Sequence, residues 1–272
     1  MANFAGMGAL ELVGFDGDDT LWESESVFAI THDRFRALLA DHAEQAELDR
    51  RLLDVERANL ELYGYGVKAF TLSMVETAIE VTGGTIEVAD IKAILDAGKE
   101  LLAHPVQLLP GAAEAVAAAA ERHRVVLVTK GDLFHQESKV ARSGLGDLFA
   151  GVEVVAEKDA STYARILRRF GVEATRFVMV GNAPASDIEP VLGLGGWAVH
   201  VPHELTWALA RHDDEEELAR HPRYRRVDDL GGVAAVLDTV VGRDREGSGD
   251  RAAAVGGVGE AEVGRDRDGS RG

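Results

Sequence analysis

The chain has 272 residues, 46% of them apolar, and its 29 basic and 47 acidic side chains give a formal charge of −18. Because so acidic a chain repels phosphate backbones and anionic lipids, we expect neither nucleic acid nor a membrane surface as a partner. The sequence contains no cysteine, which excludes disulfides and thiolate chemistry. It shows neither a basic leader nor an apolar run of about 18 residues, so we expect a cytoplasmic globular protein.

Short apolar runs alternate with helical patterns along most of the chain. The runs are nearly continuous in apolar character, as expected for strands buried on both faces. Alanine- and leucine-rich stretches such as Ala112–His123 and Ser161–Phe170 separate them. This alternation predicts an α/β fold with a parallel sheet and helices on both of its faces. The predicted strands are Leu10–Phe15, Val125–Thr129, Val152–Ala156, Phe177–Gly181 and Ala198–Val201.

The alternation is interrupted after the first predicted strand. Over residues 23–105 the apolar residues have helical spacing, and no convincing strand is present. We therefore predict a helical domain, residues 23–105, inserted into a discontinuous core formed by residues 1–22 and 106–241. The insertion follows the carboxyl end of a strand, which is the edge where parallel sheets bind ligands. The predicted helices of the insertion are Val27–Leu39, Leu48–Leu62, Thr71–Val81 and Val88–Leu102.

The last 31 residues, 242–272, differ in composition from the rest of the chain. They include nine glycines and no aromatic residue, and their charges nearly cancel. Such a segment cannot bury enough apolar surface to offset the entropy of ordering it. We predict that it is a disordered tail.

Three carboxylates follow the first predicted strand within four residues, at Asp16, Asp18 and Asp19. They repel one another, and a divalent cation such as Mg²⁺ would relieve that repulsion, since carboxylate-rich sites suit this ion. An ordinary polar turn explains the same residues equally well, because aspartate and glycine favour turns.

Polar residues also follow the next three predicted strands. Thr129 and Gly131 follow the second and suit phosphate binding at a loop. Lys158 follows the third, and Asn182 and Asp187 follow the fourth. Each of these residues alone is well explained as an ordinary loop residue. Their order after successive strands is the informative feature, because those strand ends meet at one edge of the sheet.

In this order, Asp-x-Asp-x-Thr, Thr, Lys and Gly-Asn-x-x-x-x-Asp resemble the motifs of the haloacid dehalogenase superfamily of phosphohydrolases, over roughly residues 8–240. The variants Phe-Asp-Gly-Asp-Asp-Thr-Leu-Trp, Thr-Lys-Gly-Asp and Gly-Gly-Trp-Ala-Val-His look like one bacterial branch of it. The resemblance implies a Rossmann-like three-layer core, a mobile helical cap made by the insertion, Mg²⁺ as cofactor and a small phosphorylated substrate.

The resemblance also implies a role for each matching residue. Asp16 would attack phosphorus and form an aspartyl-phosphate. Asp18 would protonate the leaving oxygen and later take a proton from water. Thr129 and Gly131 would bind the transferring oxygens, and Lys158 would neutralise the charge on Asp16 and the phosphoryl group. The implied function is Mg²⁺-dependent hydrolysis of a phosphate monoester.

The implied metal ligands are Asp16, the backbone carbonyl of Asp18, Asp187 and Asn182. Asn182 departs from the pattern, because the superfamily commonly has an aspartate there, and an amide oxygen brings no charge. This departure leaves a catalytically weak binding module as one alternative. Asp18 favours phosphoryl transfer over carbon–halogen cleavage, since dehalogenases need no acid for a halide. Phosphomutases share Asp18, so a phosphomutase is the second alternative.

Three further segments have weaker signals. In Tyr63–Lys68, Lys68 could contact an anionic substrate, although a simple turn between helices explains the segment better. His200 and His203 could be taken for a metal pair, but the proline between them breaks any helix that would align them, and we expect no metal there. The acidic run 212–217 is best explained as the solvated start of a helix.

Overall fold

The computed structural model describes residues 10–204 and 215–240. Its core is a parallel sheet of six strands, and every neighbouring pair in it is parallel. This confirms the α/β prediction. The strands are β1 (Leu12–Phe15), β2 (Arg124–Lys130), β3 (Gly151–Val155), β4 (Phe177–Gly181), β5 (Trp197–His200) and β6 (Tyr224–Arg226).

The strand order β3-β2-β1-β4-β5-β6 places β1 between β2 and β4. In the register, Phe15 at the end of β1 lies beside Leu127 of β2 and Val180 of β4. Strands β2 and β3 extend the sheet on one side of β1. The chain then crosses back, and β4, β5 and β6 extend the sheet on the other side. In open parallel sheets, ligands bind at such a switch point, outside the carboxyl ends of the strands.

Helices cover both faces of the sheet. Along β1, Leu12 packs into the apolar cluster on one face and Val13 into the cluster on the other, since side chains of a strand alternate. The predicted three-layer core is confirmed. The helices are α1 (Glu25–Leu38), α2 (Gln45–Tyr63), α3 (Val67–Val81), α4 (Val88–Ala103), α5 (Ala112–Ala120), α6 (Leu133–Ser143), α7 (Ala160–Phe170), α8 (Glu189–Gly193) and α9 (Glu215–Ala219), and residues 233–240 are also helical.

Helices α1 to α4 follow one another between β1 and α5, with no strand among them, as the sequence predicts. We call them the helical insertion. They enclose an apolar cluster of their own, which includes Phe35, Leu52 and Met74. Two segments connect the insertion to the sheet, and they run side by side: Glu23 N–H donates to Gln107 O at 2.9 Å, and Leu109 N–H donates to Leu21 O at 2.9 Å.

Some boundaries differ from the sequence predictions. Helix α5 ends at Ala120, three residues early, because the chain turns there to enter β2 at Arg124. Strand β1 begins at Leu12 rather than at Leu10. Strand β6 was not predicted, since its Tyr-Arg-Arg sequence is short and mostly charged.

Two predictions fall wholly or partly outside the described residues. The tail, 242–272, lies wholly outside them. Of the acidic run, residues 212–214 lie outside, while helix α9 begins at Glu215. No helix in the described parts of the chain is long and apolar enough to cross a membrane.

Candidate active site

The ends of β1 and β4 and the loop after β3 bring three charged side chains together. The Lys158 ammonium donates a hydrogen bond to Asp16 Oδ1 and another to Asp187 Oδ1, the latter at 2.7 Å. The side chains of Lys158, Asp16 and Asp187 are only 3%, 9% and 0% exposed. Two buried carboxylates therefore share a single ammonium, and the cluster carries an excess of negative charge.

Burial and, to a smaller extent, the neighbouring charges change the pKa of Asp16. Burial raises it to about 7 and the nearby Asp187 adds to the rise, although the Lys158 ammonium opposes both effects. Burial would lower the pKa of Lys158, but the two carboxylates outweigh burial and raise it, so Lys158 stays charged. A cation placed at this cluster would favour the ionised form of Asp16, which is the form that can attack an electrophile.

Asp187 is held against the end of β4 by local backbone geometry. Residues Pro184–Ile188 form a turn of π-helix, a feature that often occurs at functional sites. The N–H of Ala183, the residue before this turn, donates to Asp187 Oδ2 at 3.0 Å. A Cβ atom at Gly181 would lie 2.4 Å from the Asp187 carboxyl carbon. Position 181 therefore has to be glycine for Asp187 to occupy this place.

Thr20 connects Asn182 to Asp16. Its hydroxyl oxygen accepts the Asn182 backbone N–H at 3.0 Å. The same hydroxyl lies within donating distance of Asp16 Oδ2, at 3.2 Å, and of Asn182 Oδ1, at 3.3 Å. The side chain of Asn182 thus lies in the same cluster as Asp16, as the motif order predicts. Thr20 belongs to the Asp-x-Asp-x-Thr motif, but its connecting role was not predicted.

Asp18 accepts hydrogen bonds from three side chains. Trp22 Nε1 and Lys139 Nζ each donate to Asp18 Oδ1 at 2.6 Å, and Gln136 Nε2 donates to Asp18 Oδ2 at 2.9 Å. Burial would raise the pKa of Asp18, but Lys139 and these bonds outweigh it, and the pKa lies below its usual range. Sequence reasoning missed Gln136 and Lys139. Their spacing of three residues, just after the second motif, was the signal available.

Thr129 and Gly131 lie at the end of β2. Thr129 is buried, and its hydroxyl donates a long bond of 3.4 Å to the Lys130 carbonyl. Gly131 has a φ of +130°, in the region that favours glycine. A Cβ there would also lie 2.9 Å from Gln136 Nε2. Glycine at 131 thus allows α6 to bring Gln136 to Asp18.

The loop between α2 and α3, together with the start of α3, lies over the loops that follow β2 and β3. Lys68 Nζ donates to Asp132 Oδ2 at 2.9 Å, and the Tyr65 hydroxyl donates to Glu157 Oε1 at 2.7 Å. Lys130 Nζ lies 4.1 Å from the centre of the Tyr65 ring. Tyr65 therefore lies in the turn between the two helices, whereas Lys68 lies in the first turn of α3, and its ammonium is bonded to Asp132.

The two histidines considered as a metal pair on the sequence alone, His200 and His203, lie beside different partners. His200 is buried, with Nδ1 2.9 Å from the Tyr224 hydroxyl and Nε2 3.2 Å from the Asn182 carbonyl. His203 Nδ1 instead lies 3.8 Å from Asp19 Oδ1, and its Nε2 lies 4.0 Å from Glu23 Oε2.

His203, Asp19 and Glu23 form a group whose ligand atoms lie within 4.8 Å of one another, a spacing that could hold a metal ion. Asp19 Oδ1 already accepts the backbone N–H groups of Ser24 and Glu25, at 2.9 and 3.0 Å. Asp19 therefore caps the start of α1, which accounts for its position without a metal.

The cluster around Asp16 fits a hard divalent cation better. Its donors are all oxygens: the carboxylates of Asp16 and Asp187 and the amide oxygen of Asn182. Mg²⁺ prefers such donors and needs only one or two carboxylates. The excess negative charge left by the single ammonium of Lys158 also favours a cation there.

The chain is similar in sequence and in fold to known proteins. The family model of the haloacid dehalogenase-like hydrolases matches residues 10–194. A haloacid dehalogenase-like family hydrolase from Xanthomonas campestris is 46% identical in sequence and has a TM-score of 0.80, over 90% of this chain and 97% of that one. No curated protein sequence matches the chain.

More distant structures share the fold alone. A predicted phosphoglycolate phosphatase from Haemophilus somnus 129pt has a TM-score of 0.56 at 18% identity, over 85% of this chain and all of that one. A 2-haloacid dehalogenase from Pseudomonas syringae has a TM-score of 0.55 at 21% identity, over 86% of this chain and 99% of that one. The family model covers more than half of this chain, and the Xanthomonas structure matches most of its length. The chain therefore belongs to the haloacid dehalogenase-like hydrolases.

Proposed function

We propose that this protein is a Mg²⁺-dependent phosphate monoester hydrolase that acts through an aspartyl-phosphate on Asp16, with a small phosphorylated metabolite as substrate. One observation carries the proposal: the buried carboxylate of Asp16 contacts Lys158, and a second carboxyl group, Asp18, follows two residues later. A halide leaving group needs no proton, so a positioned acid such as Asp18 favours a phosphate ester over a haloacid.

In the first step a carboxylate oxygen of Asp16 attacks phosphorus, and the bond from phosphorus to the ester oxygen breaks. Asp18 gives its proton to the departing oxygen, which leaves as an alcohol. Asp18 is ionised in the free protein because three donors surround it. A bound phosphate ester places further negative charge beside Asp18, which raises its pKa and favours the protonated form that this step needs.

In the second step a water molecule attacks the phosphorus of the aspartyl-phosphate. Asp18, now a carboxylate, takes a proton from that water, and the bond between phosphorus and Asp16 breaks. Inorganic phosphate leaves, Asp16 is again a carboxylate, and Asp18 again carries a proton. Water and ester are thus converted to alcohol and phosphate, with both aspartates restored.

The remaining residues support this reaction. Lys158 neutralises the negative charge that Asp16 and the phosphoryl oxygens bring together, and Thr129 and Gly131 bind the transferring oxygens. Asp16, the Asp18 backbone carbonyl, Asp187 and Asn182 would hold Mg²⁺. The ion, when bound, screens the negative substrate from the nucleophile.

We assign the helical insertion the role of a cap. Its contacts at Tyr65 and Lys68 cover the loops that carry Gly131 and Lys158, so the reacting groups lie between insertion and sheet. A cap that closes over the site would exclude bulk water, which would strengthen electrostatic interactions within it. Lys68 could exchange its bond to Asp132 for one to an anionic substrate.

The decisive experiment measures phosphate release from a panel of phosphorylated metabolites, with and without Mg²⁺, for the wild type and for Asp16→Asn. The variant keeps the shape of the side chain but cannot attack phosphorus, so turnover should fall by at least about 10³-fold. Asp41→Asn, on an exposed aspartate of the insertion, is the matched control and should retain full turnover.

The outcomes separate the alternatives. A variant Asp16→Asn that retains more than a few per cent of wild-type turnover contradicts the covalent mechanism. An isomerised sugar phosphate without free phosphate identifies a phosphomutase. Binding of a phosphorylated metabolite without turnover by the wild type identifies a binding module.

A further inference from the structure

The carboxylate of Asp18 is held mainly from helix α6. Gln136 and Lys139 lie one turn apart on the same face of this helix, and both donate to Asp18. Both are almost fully buried, at 3% and 8% exposure. They are therefore not surface groups that meet Asp18 by chance, because burying an ammonium and an amide costs free energy unless they are bonded.

The amide of Gln136 has a defined orientation. Its Nε2 donates to Asp18 Oδ2 and, at 2.6 Å, to the Lys130 carbonyl, and both of these partners can only accept. Its Oε1 is buried and has no hydrogen-bond partner within residues 10–204 and 215–240. An unpartnered buried carbonyl is unfavourable, because it has lost its hydrogen bonds to water. The hydrogen bonds of the Gln136 side chain are therefore made by its amide nitrogen and not by its amide oxygen.

The three donors also distinguish the two oxygens of Asp18. A carboxylate offers about four lone-pair sites, two on each oxygen. Trp22 and Lys139 both donate to Oδ1, whereas only Gln136 donates to Oδ2. One site on Oδ2 is therefore left to accept a proton or to face a substrate oxygen.

We propose that Gln136 and Lys139 are positioning residues that hold the Asp18 carboxyl so that Oδ2 carries the proton exchanged with the leaving group and with water. This inference rests on the proposed phosphatase function and extends it to two residues that the family motifs do not include. A small displacement of an acid from its proton acceptor has a large effect, since about 1 Å of misplacement can cost about 10²-fold in rate.

The test compares two esters of similar shape, phenyl phosphate and 4-nitrophenyl phosphate. Nitrophenolate leaves without help from an acid, whereas phenolate gains more from a proton. The constant kcat/KM reports steps up to the formation of the aspartyl-phosphate, so it isolates the acid role of Asp18. Lys139→Met should lower kcat/KM for phenyl phosphate by about 10- to 100-fold, and for 4-nitrophenyl phosphate by less than about threefold.

Further variants show whether this pattern belongs to Asp18. Asp18→Asn should give the same selectivity between the esters with a larger loss, and Gln136→Met should give it with a smaller loss. Glu137→Gln, on an exposed residue of the same helix, is the matched control and should leave both esters unchanged. Thermal unfolding shows which variants fold. If Lys139→Met does not fold, the result for Gln136→Met decides whether the inference holds.

Two results would overturn the inference while leaving the proposed function intact. In one, the folded variants lose activity on both esters equally, which indicates a structural role. In the other, neither ester is affected, which indicates that Asp18 does not depend on α6. If the wild type hydrolyses neither these esters nor any metabolite of the panel, the proposed function fails and the inference fails with it.

Discussion

The carboxyl edge of the sheet and the helical insertion both contain ion pairs, but in opposite surroundings. At the sheet edge, Lys158 and Asp187 are 3% and 0% exposed. In the insertion, the pair of Arg34 and Glu100 has side chains that are 60% and 65% exposed, although its atoms are as close, at 2.6 Å. Exposed pairs contribute little because water screens them, whereas loss of one partner from a buried pair leaves an uncompensated charge. Distance alone therefore does not indicate what a pair contributes.

The largest expected effect follows from removing Lys158. Lys158→Met leaves Asp16 and Asp187 buried together without a cation, and we expect it to lower the free energy of unfolding by about 3–5 kcal/mol. Arg34→Met, the matched variant in the insertion, should change it by less than about 1 kcal/mol. Urea unfolding without added Mg²⁺ measures the change in the free energy of unfolding for both variants.

Added Mg²⁺ provides the control for this pair of variants. It should restore part of the stability of Lys158→Met, because a bound cation replaces the missing charge, and it should leave Arg34→Met unaffected. Equal losses for the two variants would show that the sheet-edge cluster is no more sensitive to loss of charge than the surface of the insertion.

A second prediction concerns the two candidate metal ligands after β4. Asp187→Asn removes a buried carboxylate, so the Mg²⁺ concentration at half-maximal turnover should rise by about tenfold or more, and excess Mg²⁺ should restore part of the turnover. Asn182→Asp adds a carboxylate and should lower that concentration. Turnover itself need not rise, because the added charge also repels the phosphate ester.

Mg²⁺ titrations of turnover at fixed substrate and ionic strength measure both effects. If Asp187→Asn leaves the midpoint unchanged, Asp187 is not a ligand. If Asn182→Asp is also without effect, position 182 does not reach the ion, even though Thr20 connects it to Asp16 in the structure.

The sequence predicted the sheet edge much better than the contacts around it. Buried apolar strands precede Asp16, Lys158 and Asp187, and parallel strands align their carboxyl ends. The order of the motifs was therefore enough to predict that these residues lie close together. The positions of Gln136 and Lys139 depend on how α6 packs against the loop after β1. Such packing is set by contacts between distant parts of the chain, so the three-residue spacing of Gln136 and Lys139 alone did not identify Asp18 as their partner.

For the insertion, too, the helices could be predicted from the sequence but their contacts with the core could not. Its helices were predicted from the spacing of apolar residues, with boundaries that differ by at most four residues from those in the structure. The bond between Lys68 and Asp132 and that between Tyr65 and Glu157 could not be predicted, because a surface lysine or tyrosine has many possible partners. Helical periodicity indicates which face of a helix is buried, but not which loop of the core lies opposite it.

The smallest effect concerns a carboxyl group of the insertion and has the opposite sign to the effect at Lys158. Glu56 of α2 is partly buried, and burial raises its pKa from the ordinary 4.5 to about 7. The folded protein therefore binds this proton more tightly than the unfolded chain does. The stability that the group contributes is complete below pH 4.5 and is lost as the pH rises through 7.

Glu56→Gln removes this ionisation. At pH 8 the variant should be more stable than the wild type by about 1–2 kcal/mol, a value reduced from the full pKa shift to allow for partial solvent access. The difference should shrink as the pH falls and vanish near pH 4.5. Urea unfolding at several pH values between 4 and 8 measures it, with Glu61→Gln, on an exposed residue of the same helix, as the matched control. A difference that does not depend on pH would mean that Glu56 acts through packing, and the insertion would then lack the buried charge that the sheet edge has.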